Sequence, residues 1–107
     1  MAVVADRAII EVAERFLNLL KSAGINIERI VLFGSYVCGN AREWSDIDLA
    51  VVSPDFSGIP FYDSKMLNPF VLKVDTRIEV HPYRPEDFTK DDYFVREIIK
   101  NGLEIKI

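Results

Sequence analysis

The chain has 107 residues, half of them apolar and 28% charged, with 13 Lys and Arg against 17 Asp and Glu for a net charge of −4. That composition excludes extended disorder, and the negative balance disfavours long-range attraction to nucleic acid. No stretch approaches the roughly 20 uninterrupted apolar residues of a membrane helix, and the length is that of one domain over residues 1–107, with one core and no separate acceptor-binding domain.

The first seven residues, Met1 to Arg7, lack a basic start followed by an apolar run and a cleavage site, so no secretory leader is expected. A single cysteine, Cys38, cannot form an internal disulfide, and the expected location is cytoplasmic. Residues 7–23 set Ile9, Val12, Ala13, Phe16 and Leu20 on one face of a helix, with Asp6 as N-cap and Gly24 as stop. Residues 27–33 read as a buried strand, and 35–41 as a short helix opened by the Gly34-Ser35 turn, with Gly39 allowing a tight backbone at its end. A second strand over 46–52 stops at Ser53-Pro54. From 55 to 75 the pattern is poor: Ser57-Gly58-Ile59-Pro60 is a loop, and 61–72 has helical character that Pro69 interrupts.

Alternation returns at 76–81, where Ile78 and Val80 share one face and Arg77, Glu79 and His81 the other, a polar face aimed at a site or at solvent. Pro82 and Pro85 end that strand, Glu86-Asp87-Phe88 forms a helical turn, and Asp91 or Asp92 caps a helix running to Asn101. Gly102 stops it, and 103–107 alternate as a terminal edge strand. The fold class is therefore α/β (α+β), one mixed β-sheet with helices packed mainly on one face.

Chemistry concentrates between residues 34 and 48. Side chains alternate faces along a strand, so Asp46 and Asp48 project from the same side, and two such carboxylates repel unless a cation lies between them. Mg²⁺, which takes oxygen from one or two carboxylates plus substrate phosphates, fits that need. The Gly34-Ser35 turn opens a helix, where free backbone N–H groups suit phosphate oxygens and small side chains permit close approach.

Gly34-Ser35, the ten residues from Tyr36 to Ser45 and Asp46-Ile47-Asp48 resemble the signature of the DNA polymerase beta-like nucleotidyltransferase superfamily. Leu32-Phe33 and Ser45 are similar to its small prokaryotic branch, the minimal nucleotidyltransferases (MNT) of HEPN/MNT antitoxin type. The resemblance implies a nucleotidyltransferase-like fold and two Mg²⁺ ions on Asp46, Asp48 and a third carboxylate from a later strand. Glu79 is the choice for that carboxylate and Asp75 the second, although many relatives carry Asp there. Gly34 and Ser35 would contact the triphosphate, Arg42 is a further phosphate candidate, and Tyr36 stands where many relatives have a basic residue.

By the same resemblance, the chain would move a nucleoside monophosphate, AMP from ATP, onto an acceptor hydroxyl. The acceptor would belong to a HEPN-type helical partner protein, neutralised as the toxin of a toxin–antitoxin pair, with protein adenylylation as the chemistry. The rival is a non-catalytic nucleotide-binding antitoxin that occludes its partner; an antibiotic-modifying enzyme is disfavoured by the missing second domain. Trp44 and Cys38 read as packing residues, and His81 as a residue of the site's rim that, without cysteine neighbours, makes no zinc site.

Overall fold

The computed structural model describes residues 6–42 and 44–107; residues 1–5, on which the reading of the N-terminus falls, and Glu43 lie outside the described residues. The first helix, α1, spans Arg7–Ser22, and Asp6 caps it by accepting from the Ala8 backbone N–H at 2.9 Å. It buries Ile9, Ala13, Phe16, Leu17 and Leu20, the stripe its 3.6-residue period dictates. No described helix is long and apolar enough to cross a membrane.

Four strands, β1 (Arg29–Phe33), β2 (Ile47–Val52), β3 (Ile78–Tyr83) and β4 (Leu103–Ile105), form one mixed sheet in the order β3-β2-β1-β4. β1 runs antiparallel to both β2 and β4, whereas β2 and β3 are parallel. A parallel pair needs a crossover, supplied here by a helix over Pro60–Val74, numbered α3 because a short α2 occupies Ser35–Cys38. On one face Ile30, Leu32, Ile47, Leu49 and Val51 pack with α1 and with Leu67 and Val71 of α3. On the other, Val31, Ala50 and Val52 meet Phe88 and the fourth helix, α4 (Tyr93–Asn101), through Val95 and Ile98. The two longest helices thus share one face, and α4 leaves part of the second face open at the ends of β1, β2 and β3.

Two prolines behave differently from the sequence expectation. β3 continues through Pro82 to Tyr83 because it is an edge strand, where a missing N–H need not break a ladder. α3 runs unbroken through Pro69, since the single backbone bond Pro69 cannot donate lies on the helix's exposed side while Leu67 and Val71 anchor the other in the core. Asp92, rather than Asp91, caps α4, accepting from Phe94 and Val95 N–H at 2.8 and 3.2 Å. The terminal strand ends at Ile105 and, as expected, lies at the sheet edge.

The segment that sequence pattern describes least well is ordered by a buried carboxylate. Asp63, only 4% exposed, accepts from Ser57 N–H at 2.8 Å and Ser57 Oγ at 2.9 Å through Oδ1, and from Gly58 N–H at 3.0 Å through Oδ2. It therefore ties the loop after β2 to the first turn of α3. Asp63→Asn replaces one acceptor oxygen by a donor that must face an N–H or hydroxyl. The expected loss is about 1–3 kcal/mol of unfolding free energy, measured by chemical denaturation; an unchanged midpoint would remove Asp63 as the organiser of this segment.

Candidate functional site

Asp48 lies on β2 between Ile47 and Leu49, whose side chains enter the α1 and α3 core, so its carboxylate emerges on the opposite face. The parallel register sets Asp48 beside Glu79, and two residues farther along β3 His81 falls on the same face. Ligand-capable atoms of Asp48, Glu79 and His81 all lie within 4.8 Å of one another, with His81 Nε2 3.3 Å from Asp48 Oδ1. Asp46 precedes β2, which begins at Ile47, so strand alternation does not position it. Its place comes from the Ile47 N–H bond to the Arg77 carbonyl at 2.8 Å, which pins the start of β2 to β3 and brings the exposed Asp46 carboxyl against Glu79.

Crowding of like charge shows in the acidities. Burial chiefly pushes the Asp48 carboxyl above its ordinary range, with Asp46 adding and the hydrogen bond and charge of His81 opposing. Glu79 is raised first by a proton shared with Asp46, then by burial and by the neighbouring carboxylates. A divalent cation fits this set: Asp48 and Glu79, both holding on to protons more firmly than usual, offer oxygen to a hard ion within 4.8 Å of each other and of His81, and Asp46 adjoins Glu79 from the start of β2.

Gly34 connects this cluster to β1. Its φ of 85° is a left-handed value that an L side chain rarely adopts, and a Cβ there would collide with Asp48 Oδ2. The glycine carbonyl accepts from Val37 and Cys38 N–H at 3.0 Å each, folding the chain into α2. The N–H groups of Ser35 and Tyr36, in the first turn of α2, have no acceptor within the helix. The carboxylates therefore adjoin a turn with free donors and no side chain at its apex.

The remaining sequence candidates fall around this centre. Asp75 is engaged elsewhere: Arg77 donates to its two oxygens at 3.0 and 2.7 Å, which holds the Asp75 carboxyl below its usual range. Arg77 thus pairs with Asp75 rather than with Glu79, and it also reaches Tyr36 Oη at 3.3 Å. Tyr36 in turn donates to the Arg42 carbonyl at 3.3 Å, stapling the loop after α2. The Arg42 side chain is exposed on that loop.

Trp44 is 82% exposed, against the expectation that it packs, because Tyr36 and the Ser45 hydroxyl, which accepts from Arg42 N–H at 2.8 Å, hold the loop without it. Cys38 is likewise exposed, at the rim of an apolar cavity of about 140 Å³ between α2 and α4. His81 stands inside the cluster and not merely at its rim; its shared parity with Glu79 was the available signal. Phe94 of α4, ring centroid 5.8 Å from Phe33 and 6.3 Å from His81, had none, being distant in sequence.

The raised pKa of Asp48 gives a signed expectation for the metal-free protein. With the folded pKa above the unfolded value, the contribution of Asp48 to stability is fully present below about pH 3.9 and is lost as pH rises through the folded pKa. Asp48→Asn lacks that loss, so in chelator it should melt higher than the parent at pH 7, by about 4–8 °C per kcal/mol relieved. The gap should close on acidification below pH 4. Melting curves across pH check this, and a variant less stable at pH 7 would contradict the cost of the partly buried Asp48 charge described above.

Comparison with known proteins places the chain. Its fold is similar to that of a candidate nucleotidyltransferase from Sulfolobus solfataricus, with a TM-score of 0.66 and 17% identity over 91% of this chain and 78% of that one. A toxin–antitoxin structure with AMP-PNP is similar at a TM-score of 0.57 and 20% identity, covering 87% of this chain and 71% of that one. At such identities the likeness is one of fold. No curated protein matches the chain. A family model described as a nucleotidyltransferase domain matches residues 10–105, taking in the Gly34-Ser35 turn, the carboxylates and all four strands, and the chain belongs to that family.

Proposed function

We propose that this chain is a Mg²⁺-dependent nucleotidyltransferase that moves AMP from ATP onto a hydroxyl of a partner protein. The partner would be a HEPN-type helical toxin that the chain counteracts as antitoxin. The observation that carries this reading is the convergence of Asp46, Asp48 and Glu79 beside the Gly34-Ser35 turn. Asp46, Asp48 and Glu79 are the residues that would hold the metal. Two Mg²⁺ ions, when bound, would neutralise charge on the triphosphate and on the acceptor oxygen.

The chain's own groups account for the rest. The Ser35 and Tyr36 N–H groups and the Ser35 hydroxyl would receive phosphate oxygens, with Arg42 reaching them from its exposed loop. Glu79, whose raised pKa suits proton uptake, would accept the proton of the acceptor hydroxyl as that oxygen bonds to the α-phosphorus. The bond from the α-phosphorus to its β-bridging oxygen breaks, and pyrophosphate leaves. A protein acceptor is supported by the fold likeness to a toxin–antitoxin structure. It is supported too by α3, which leaves Phe61, Tyr62 and Leu72 exposed to 71%, 60% and 71%.

Calorimetric titration tests the site. Mg·ATP is expected to bind the parent, and Asp46→Asn or Asp48→Asn to abolish that binding; undiminished affinity in both variants would sink the metal assignment.

Transfer tests the chemistry. Glu79→Gln is expected to slow single-turnover labelling of the partner by about 100-fold or more, with little change in nucleotide affinity. Equal losses of rate and binding would move Glu79 into the triphosphate site. A partner that is silenced in complex yet never gains AMP by mass spectrometry would favour occlusion without catalysis.

A further inference from the structure

An all-oxygen site would suit Mg²⁺, but the cluster has a nitrogen in it. His81 Nε2 is 3.3 Å from Asp48 Oδ1, and Asp48, Glu79 and His81 offer ligand atoms that are all within 4.8 Å of one another. Ligands sharing one ion at about 2.0–2.2 Å lie about 3–4 Å apart, so the set closes on a single ion with shifts of under about 1 Å. The imidazole is held for this: its ring packs edge-on against Phe33 with centroids 4.9 Å apart, and Phe94 lies on α4 at 6.3 Å. The side chain is only 26% exposed. The blander role, a histidine that merely hydrogen-bonds Asp48, uses the same 3.3 Å contact and leaves Glu79 out.

We propose that His81 is a direct ligand of the ion held by Asp48 and Glu79, and that this nitrogen biases the site toward a first-row transition ion, Mn²⁺, over Mg²⁺. This rests on the metal-dependent reading above and deepens it. Mg²⁺ demands oxygen ligands in near-ideal octahedral geometry and gives up water reluctantly, whereas imidazole suits the later first-row ions best, and Mn²⁺, the weakest binder of that series, stands between them and Mg²⁺. Mn²⁺ still accepts carboxylate, water and phosphate oxygen, so the change of ion keeps the rest of the site in use.

The test is a comparison of Mn²⁺ and Mg²⁺ titrations of the parent, His81→Ala and His81→Phe, with pulsed EPR of the Mn²⁺-loaded proteins. His81→Phe keeps the ring between Phe33 and Phe94, so it guards against a loss due only to packing. Expected are a loss of about tenfold in Mn²⁺ affinity in both variants, a change under about twofold for Mg²⁺, and ¹⁴N coupling to Mn²⁺ in the parent alone. Equal weakening for the two ions, or no ¹⁴N coupling in the parent, would overturn the ligand assignment. Asp48→Asn separates the two levels of the argument. If it abolishes Mn²⁺ binding while His81→Phe leaves it intact, the histidine proposal fails and the carboxylate site stands. If neither variant affects binding, the metal reading fails with it.

Discussion

The in-register pairing of Asp48 with Glu79 across the parallel β2–β3 ladder sets two negative charges side by side, with Asp46 as a third. Most of the local architecture follows from making that repulsion tolerable. Both strands are held in register from behind by Ile47, Leu49 and Ile78, which pack into the α1 and α3 core. A slip of one residue would turn those apolar side chains out and the carboxylates in, so the hydrophobic face enforces the acidic one. Repulsion in the site is thus balanced by burial on the opposite side of the same strands.

The crossover between β2 and β3 makes this possible, because a parallel neighbour cannot be reached by a tight turn. Asp63 fastens the loop at the start of α3, and Leu67 and Val71 seat the helix on the sheet. At the far end Asp75 and Arg77 form a bidentate ion pair just before β3, joined through Tyr36 to the loop that delivers Asp46. Tyr36 is a strut between α2, that loop and the start of β3. The cation that would otherwise face the site, Arg77, is drawn aside by Asp75.

On the open face, Phe33, His81 and Phe94 form an aromatic wall beneath the carboxylates. Burial at this place raises the Asp48 pKa, while His81 opposes that shift and presents one nitrogen at the level of the acids. Gly34 closes the other side, where any Cβ would meet Asp48. Charge, aromatic backing and a bare backbone turn therefore meet at one end of the sheet.

Much of this was legible from local pattern. Period-3.6 burial marks α1, alternation marks β1, β2 and β3, Asp6 and Gly24 bound the first helix, and the Gly34-Ser35 turn with Asp46, Asp48 and Glu79 names the acidic centre, because each signal lies within a few residues of chain. What sequence could not decide depends on neighbours far along it. Pro82 is admissible only because β3 is an edge, and Pro69 only because its face of α3 meets solvent. That Arg77 pairs with Asp75 and not with Glu79 is a matter of side-chain reach at the strand's start. His81 entered the cluster, and Trp44 was left in solvent, through packing with Phe33 and Phe94 in one case and a loop anchored by other residues in the other. Periodicity determines which face a residue occupies; only tertiary packing determines what stands opposite it, and that is where the charges and the imidazole nitrogen of this site were brought together.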